Sequence, residues 1–93
     1  MENEVKLVIG YRLHVQRLSS GEHKVNAYPT SGSGLQKTFS SWQDFRSAFS
    51  KYMDDSESES LNLALADASY GIDAFKSLRP VPRTELDILG FSD

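Results

Sequence analysis

A long alternation of apolar and polar residues near the start of the chain constrains its fold more than any other feature. Residues 5–15 read VKLVIGYRLHV, in which every odd position is apolar and the even positions, apart from Val8, are polar or glycine. A period of two over this length predicts a β-strand with one buried face and one wetter face. The pattern therefore predicts that the first regular element of the chain is a β-strand rather than a helix.

A tight turn follows this strand and predicts its partner. Ser19-Ser20-Gly21 suits a three-residue hairpin loop, with glycine at the position that favours positive φ. This loop places Val15 opposite Val25 and predicts a second strand over about 23–28, whose odd positions join the same core.

The next segments complete a β-meander and cover it with a helix. Residues 29–34 are rich in Pro, Gly and Ser and predict a flexible connection, and residues 35–39 predict a third strand. Ser40 or Ser41 is a suitable N-cap for a helix over 41–53. Its apolar stripe at three- and four-residue spacing consists of Trp42, Phe45, Ala48, Phe49, Tyr52 and Met53.

The second half of the chain is less clearly patterned. Residues 54–60, DDSESES, are acidic and serine-rich and predict a solvated hinge, with a cluster of phosphorylated serines as the alternative. A helix from about 59 to 78, capped by Ser58 or Ser60, is favoured by the Leu and Ala content, although alternating leucines leave a strand over 61–66 open. Gly71 predicts a break or kink in it.

The last segment is predicted to dock on the body as a short helix. Residues 79–83, RPVPR, impose an extended connector. Thr84 is a candidate N-cap for a helix over 85–89, which Gly90 ends as a glycine C-cap. Leu86, Leu89 and Phe91 are expected to face the body.

These patterns predict an α+β fold: a three-stranded antiparallel β-meander packed on an amphipathic helix, followed by a second helical segment and a short C-terminal helix. With 93 residues, 39% of them hydrophobic, we expect one domain with one core. Its predicted parts are a βββα unit over 1–53, the hinge over 54–60 and a helical segment over 61–93.

Composition and charge exclude several kinds of site. The chain has no cysteine, so disulfides, thiolate nucleophiles and cysteine-based zinc sites are excluded. Residues 1–51 hold seven Lys or Arg against four Asp or Glu, whereas residues 52–93 hold three against nine. This division of charge predicts either ion pairs between the two halves within the fold, or one basic and one acidic surface that bind different partners. We expect neither a signal peptide nor a membrane span, and hence a cytoplasmic protein.

No catalytic motif is found, and the expectation is a protein that is not an enzyme. His14 and His23 lack the spacing to carboxylates typical of metal or triad sites, and no phosphate or dinucleotide loop occurs. No cofactor or metal is therefore expected.

The polar parity of the first two strands is the candidate binding surface. The best-supported hypothesis is a small binding or regulatory module that contacts an unidentified protein partner through this face or through the acidic second helix. Nucleic-acid binding by the polar face is the alternative, weakened by the net charge of −3, and an acidic inhibitor of a basic partner is another. The candidate anchors, which include Tyr and Arg as common interface hot spots, are Arg12, His14, Lys24, Asn26 and Tyr28.

Overall fold

A computed structural model of the chain describes residues 10–29, 32–68, 70–74 and 81–93. The part of the predicted first strand over 5–9 and the predictions for 75–80 lie outside these residues. The described part is an α+β domain with a four-stranded antiparallel sheet in the order β3-β2-β1-β4. Its elements are β1 (Arg12–Arg17), β2 (His23–Tyr28), β3 (Leu35–Phe39), α1 (Trp42–Ala48), α2 (Asp55–Asp67), β4 (Ile72–Asp73) and α3 (Arg83–Leu89).

The predicted meander and its register are confirmed. Val15 lies opposite Val25 in the β1–β2 pair, and both side chains are buried. The hairpin loop is closed by a hydrogen bond from Leu18 N to the Glu22 carbonyl oxygen at 2.8 Å, and Gly21 has φ of +96°. The turn chemistry therefore fixes which residues of β1 face the core.

The helices cover the odd-parity face of the sheet, and α1 with its C-cap residue supplies two fully buried aromatic side chains. Ser41 is its N-cap and accepts a hydrogen bond from Asp44 N. The helix ends at Ala48, five residues earlier than predicted, because the chain must turn within 49–52 to begin α2. Phe45 and Phe49 are fully buried, with ring centroids 5.1 Å apart.

The prediction of a hinge over 54–60 is wrong, since α2 begins at Asp55. Asp54 is its N-cap and forms a capping box with Glu57, with each side chain bonded to the other residue's backbone N–H. The acidic side chains also lie at the helix end that favours negative charge. Residues 61–66 are helical, and the buried positions of α2 are Ser58, Leu61 and Leu65.

The prediction of one helix over 59–78 is also wrong, because α2 ends at Asp67 and a short strand follows. Gly71 has φ of +94° and redirects the chain into β4, where Ile72 pairs with Val15 and Asp73 with His14. This two-residue strand makes β1 an interior strand of the sheet.

The C-terminal helix docks as predicted, with one difference. Its N-cap is Pro82 rather than Thr84, while Gly90 is its C-cap as expected. Leu86 and Phe91 are buried, and Leu89 packs against the core. Ser92 then bonds with Gln36 at the outer side of β3.

Ion pairs join the basic first half of the chain to its acidic second half. Arg46 Nη2 lies 2.9 Å from Asp55 Oδ1, and Lys51 Nζ lies 3.6 Å from Glu85 Oε1. A third such pair joins β1 to β4. Part of the charge asymmetry is thus used within the fold, as one of the two sequence interpretations expected.

Candidate functional site

The sheet register brings all five predicted binding residues onto one face. Arg12 lies opposite Tyr28, and His14 lies opposite Asn26. Lys24 lies two pairs away from Asn26 in the register, opposite Gln16. Residues directly opposite in an antiparallel pair share a face, and alternate residues of a strand share it too. We call this even-parity surface of β1, β2 and β3 the open face, because the helices pack on the other side of the sheet.

The open face continues onto β3 and remains accessible. Gln36 and Thr38 pair with Asn26 and Lys24, so they extend the same face, and both are exposed. Tyr28 is 44% exposed. The result is a flat polar surface across three strands, with one large aromatic side chain at its margin.

Strand β4 adds an acidic residue to the open face that the sequence did not predict. Asp73 lies opposite His14, and its Oδ2 is 3.5 Å from Arg12 Nε. Both side chains are about half exposed, so the pair contributes little to stability but offsets much of the arginine charge locally. Among the described residues, Lys24 forms no ion pair.

His14 is fixed at the junction of β1 and β4. Its Nε2 lies 3.3 Å from the Tyr70 carbonyl oxygen, just before Gly71. The ring therefore contributes to holding the β4 connection as well as to the open face.

A second polar cluster, not predicted from the sequence, lies at the end of the core side of the sheet. Arg17 Nε donates to His23 Nε2 at 3.0 Å, and Arg17 Nη2 donates to Asn62 Oδ1. The His23 ring is also 5.6 Å from the ring of Trp42. This cluster joins β1, β2, α1 and α2 around a histidine that is 2% exposed.

The cluster holds His23 in its neutral form. A guanidinium only donates hydrogen bonds, so Nε2 must accept and the proton must be on Nδ1. Burial lowers the pKa of His23, the Arg17 charge lowers it further, and the Gly21 backbone offsets part of this effect. Nδ1 itself is buried without a well-formed hydrogen bond.

The geometry of the described residues does not bring groups together for metal binding or triad chemistry. His14 lies on the open face and His23 on the core side, so the two histidines do not form a pair. No group of three or more His, Asp or Glu in the described ranges is placed to hold a metal ion.

The helices α1 and α2 enclose a polar cleft, which the sequence also did not predict. Its volume is about 330 Å³. The lining side chains are Trp42, Arg46, Asp55, Ser58, Glu59 and Asn62.

Among the described helices, none is long and apolar enough to cross a membrane. Comparison of the chain with protein-family models, with curated proteins and with solved structures found no match.

Proposed function

We propose that this protein is a non-enzymatic binding module that recognises a protein partner through the open face of its sheet. The observation that carries this proposal is the register, which gathers Arg12, His14, Lys24, Asn26 and Tyr28 onto one accessible surface. A protein that needs no catalytic centre still needs such a preformed surface.

The open face has a rigid support. Leu13, Val15, Val25 and Ala27 alternate with it along β1 and β2, are at most 1% exposed and belong to the core. A surface on packed strands loses little conformational entropy on binding, which favours affinity.

The composition of the open face favours a protein over a nucleic acid. Its cations are few, and Asp73 already pairs with Arg12. Binding to phosphates gains affinity from several unpaired Lys or Arg contacts, which this surface lacks among the described residues. Tyr28 and the amide and hydroxyl groups suit a hydrogen-bonding protein surface with a carboxylate placed near Lys24.

The experiment begins with capture of partners from nuclease-treated extract, followed by dissociation constants measured with the purified partner. The variants Tyr28→Ala and Lys24→Glu test the open face. Ile88→Ala, at a side chain 78% exposed on α3, is the control for Tyr28, and the double variant Gln43→Glu/Ser47→Glu on α1 matches the charge change at Lys24.

We expect the open-face variants to weaken binding about tenfold or more, as loss of an interface hot spot does, and the controls to have little effect. Equal effects of open-face and control variants would contradict the proposal. Binding that disappears with nuclease treatment would support the nucleic-acid alternative instead.

A further inference from the structure

The cleft between α1 and α2 combines one aromatic wall with a polar, acidic rim. Trp42 forms the aromatic wall, and its indole is held by ring contacts with Phe45 at 5.2 Å and with His23 at 5.6 Å. Asn62 also lines the cleft and accepts a hydrogen bond from Arg17. The walls are thus positioned by the core and by the buried histidine cluster.

The charges lining the cleft leave an excess of one carboxylate. Arg46 and Asp55 both line the cleft and form an ion pair, with Nη2 and Oδ1 2.9 Å apart. Glu59 lies one turn after Asp55 on α2 and lines the same cleft. Within the described ranges Glu59 has no ion-pair partner, so the cleft attracts cations.

The shape of the cleft selects among cations. A planar guanidinium stacks on an indole and bonds two carboxylate oxygens at once, whereas an ammonium is a compact and strongly hydrated charge. Ser58 also lines the cleft and is 3% exposed. Its hydroxyl oxygen is able to accept a hydrogen bond. The volume of about 330 Å³ is sufficient for one amino-acid side chain.

We propose that this cleft binds a guanidinium group, between the indole of Trp42 and the carboxylate of Glu59. The group is either an arginine side chain of another polypeptide or a small guanidinium-bearing molecule. The site lies in the helical layer, away from the open face, so it stands or falls independently of the proposed function.

The test uses the intrinsic fluorescence of Trp42, which is the only tryptophan in the chain. The full chain is titrated with N-acetylarginine amide at constant ionic strength, and amide NMR shifts are followed in parallel. The citrulline analogue keeps the size but lacks the charge. Free arginine separates the two sources, because a small-molecule site prefers the free amino acid and a polypeptide site prefers the capped form.

The matched variants are Glu59→Gln and Asp67→Asn, both on α2, about 12 Å apart along the helix axis at its rise of about 1.5 Å per residue. Both positions are exposed, so neither change removes core contacts.

We expect saturable binding of the arginine probe in the millimolar range, weakened about tenfold by Glu59→Gln through loss of a charged hydrogen bond and unchanged by Asp67→Asn. NMR shifts are expected at residues that line the cleft. The proposal is overturned by equal binding of the citrulline probe, by an unaffected Glu59→Gln variant, or by the absence of saturable binding.

Discussion

Replacing Gly71 by alanine should destabilise the protein more than the same replacement at Gly21. Both glycines have nearly the same φ, +94° at Gly71 and +96° at Gly21. An alanine Cβ at Gly21 would meet no atom within 4 Å. At Gly71 it would lie 2.7 Å from His14 Nε2 and 2.8 Å from the Val15 carbonyl oxygen. The pair of variants therefore separates conformational strain from steric overlap.

The expected magnitudes follow from these two contributions. An alanine in the left-handed conformation lowers the free energy of unfolding by about 1–2 kcal/mol. The smaller conformational entropy of the unfolded alanine variant offsets about 0.4–1 kcal/mol of this loss. Gly21→Ala should therefore lower the free energy of unfolding by about 1 kcal/mol. The overlap at Gly71 includes the backbone carbonyl oxygen of Val15, so moving the His14 side chain alone does not relieve it and β4 must shift away from β1. Overpacking of this kind costs a further 1–3 kcal/mol or so.

Urea unfolding followed by far-UV circular dichroism and by Trp42 fluorescence measures both variants. Gly71→Ala should lose about 2–4 kcal/mol in total, and at about 4–8 °C per kcal/mol its melting temperature should fall well below that of Gly21→Ala. Equal destabilisation of the two variants would refute the close approach of Gly71 to β1.

Two further predictions concern the buried histidine and the start of α2. The pKa of His23 is lowered from 6.5 in the folded state, so below pH 6.5 the unfolded state binds a proton that the native state does not. The free energy of unfolding should therefore decrease as the pH falls from 6.5 towards the native pKa. His23→Gln should flatten this dependence in urea titrations across pH, while His14→Gln should retain it. Asp54→Ala removes the capping box and should cost about 1 kcal/mol by urea unfolding. Asp67→Ala, at the other end of α2, should cost less, and a larger loss there would contradict the role given to the cap.

Local signals were sufficient to predict the meander and the C-terminal end of the chain's last helix. The register of β1 and β2 follows from a single turn ending in Gly21 and from strict alternation, and each is a property of adjacent residues. Gly90 ended α3 for the same kind of reason. The open face was predictable because parity alone decides it.

Two predictions for the second half are wrong, the hinge over 54–60 and the single helix over 59–78. Both rest on amino-acid composition, which does not report capping or strand pairing. The composition of the acidic stretch after Met53 predicts a hinge. However, Asp54 followed three residues later by Glu57 is a capping signal that is visible in the sequence itself. Strand β4 has only two residues, too few for any period, and exists because β1 offers it a free edge.

The buried cluster around His23 was missed for a different reason. The odd position of His23 in β2 does indicate the core side, but Arg17, which donates to His23, and Asn62, which accepts from Arg17, are separated by 45 residues and meet only through the packing of α2. No spacing in the sequence signals such a contact. The cleft lined by Trp42 has the same origin.

The bond between Gln36 and Ser92 has a consequence for how the protein meets other chains. Gln36 belongs to the edge strand β3. Its backbone N–H donates to the Ser92 carbonyl oxygen at 2.8 Å, and its carbonyl oxygen accepts from Ser92 N at 3.1 Å. At the opposite margin of the described sheet, β4 has two residues. A foreign strand needs a run of unpaired backbone groups to join a sheet, and among the described residues Ser92 interrupts that run on β3 while β4 provides a short one. If the open face does bind a partner as proposed, we therefore expect the contacts to be made by its side chains rather than by backbone pairing at a sheet edge.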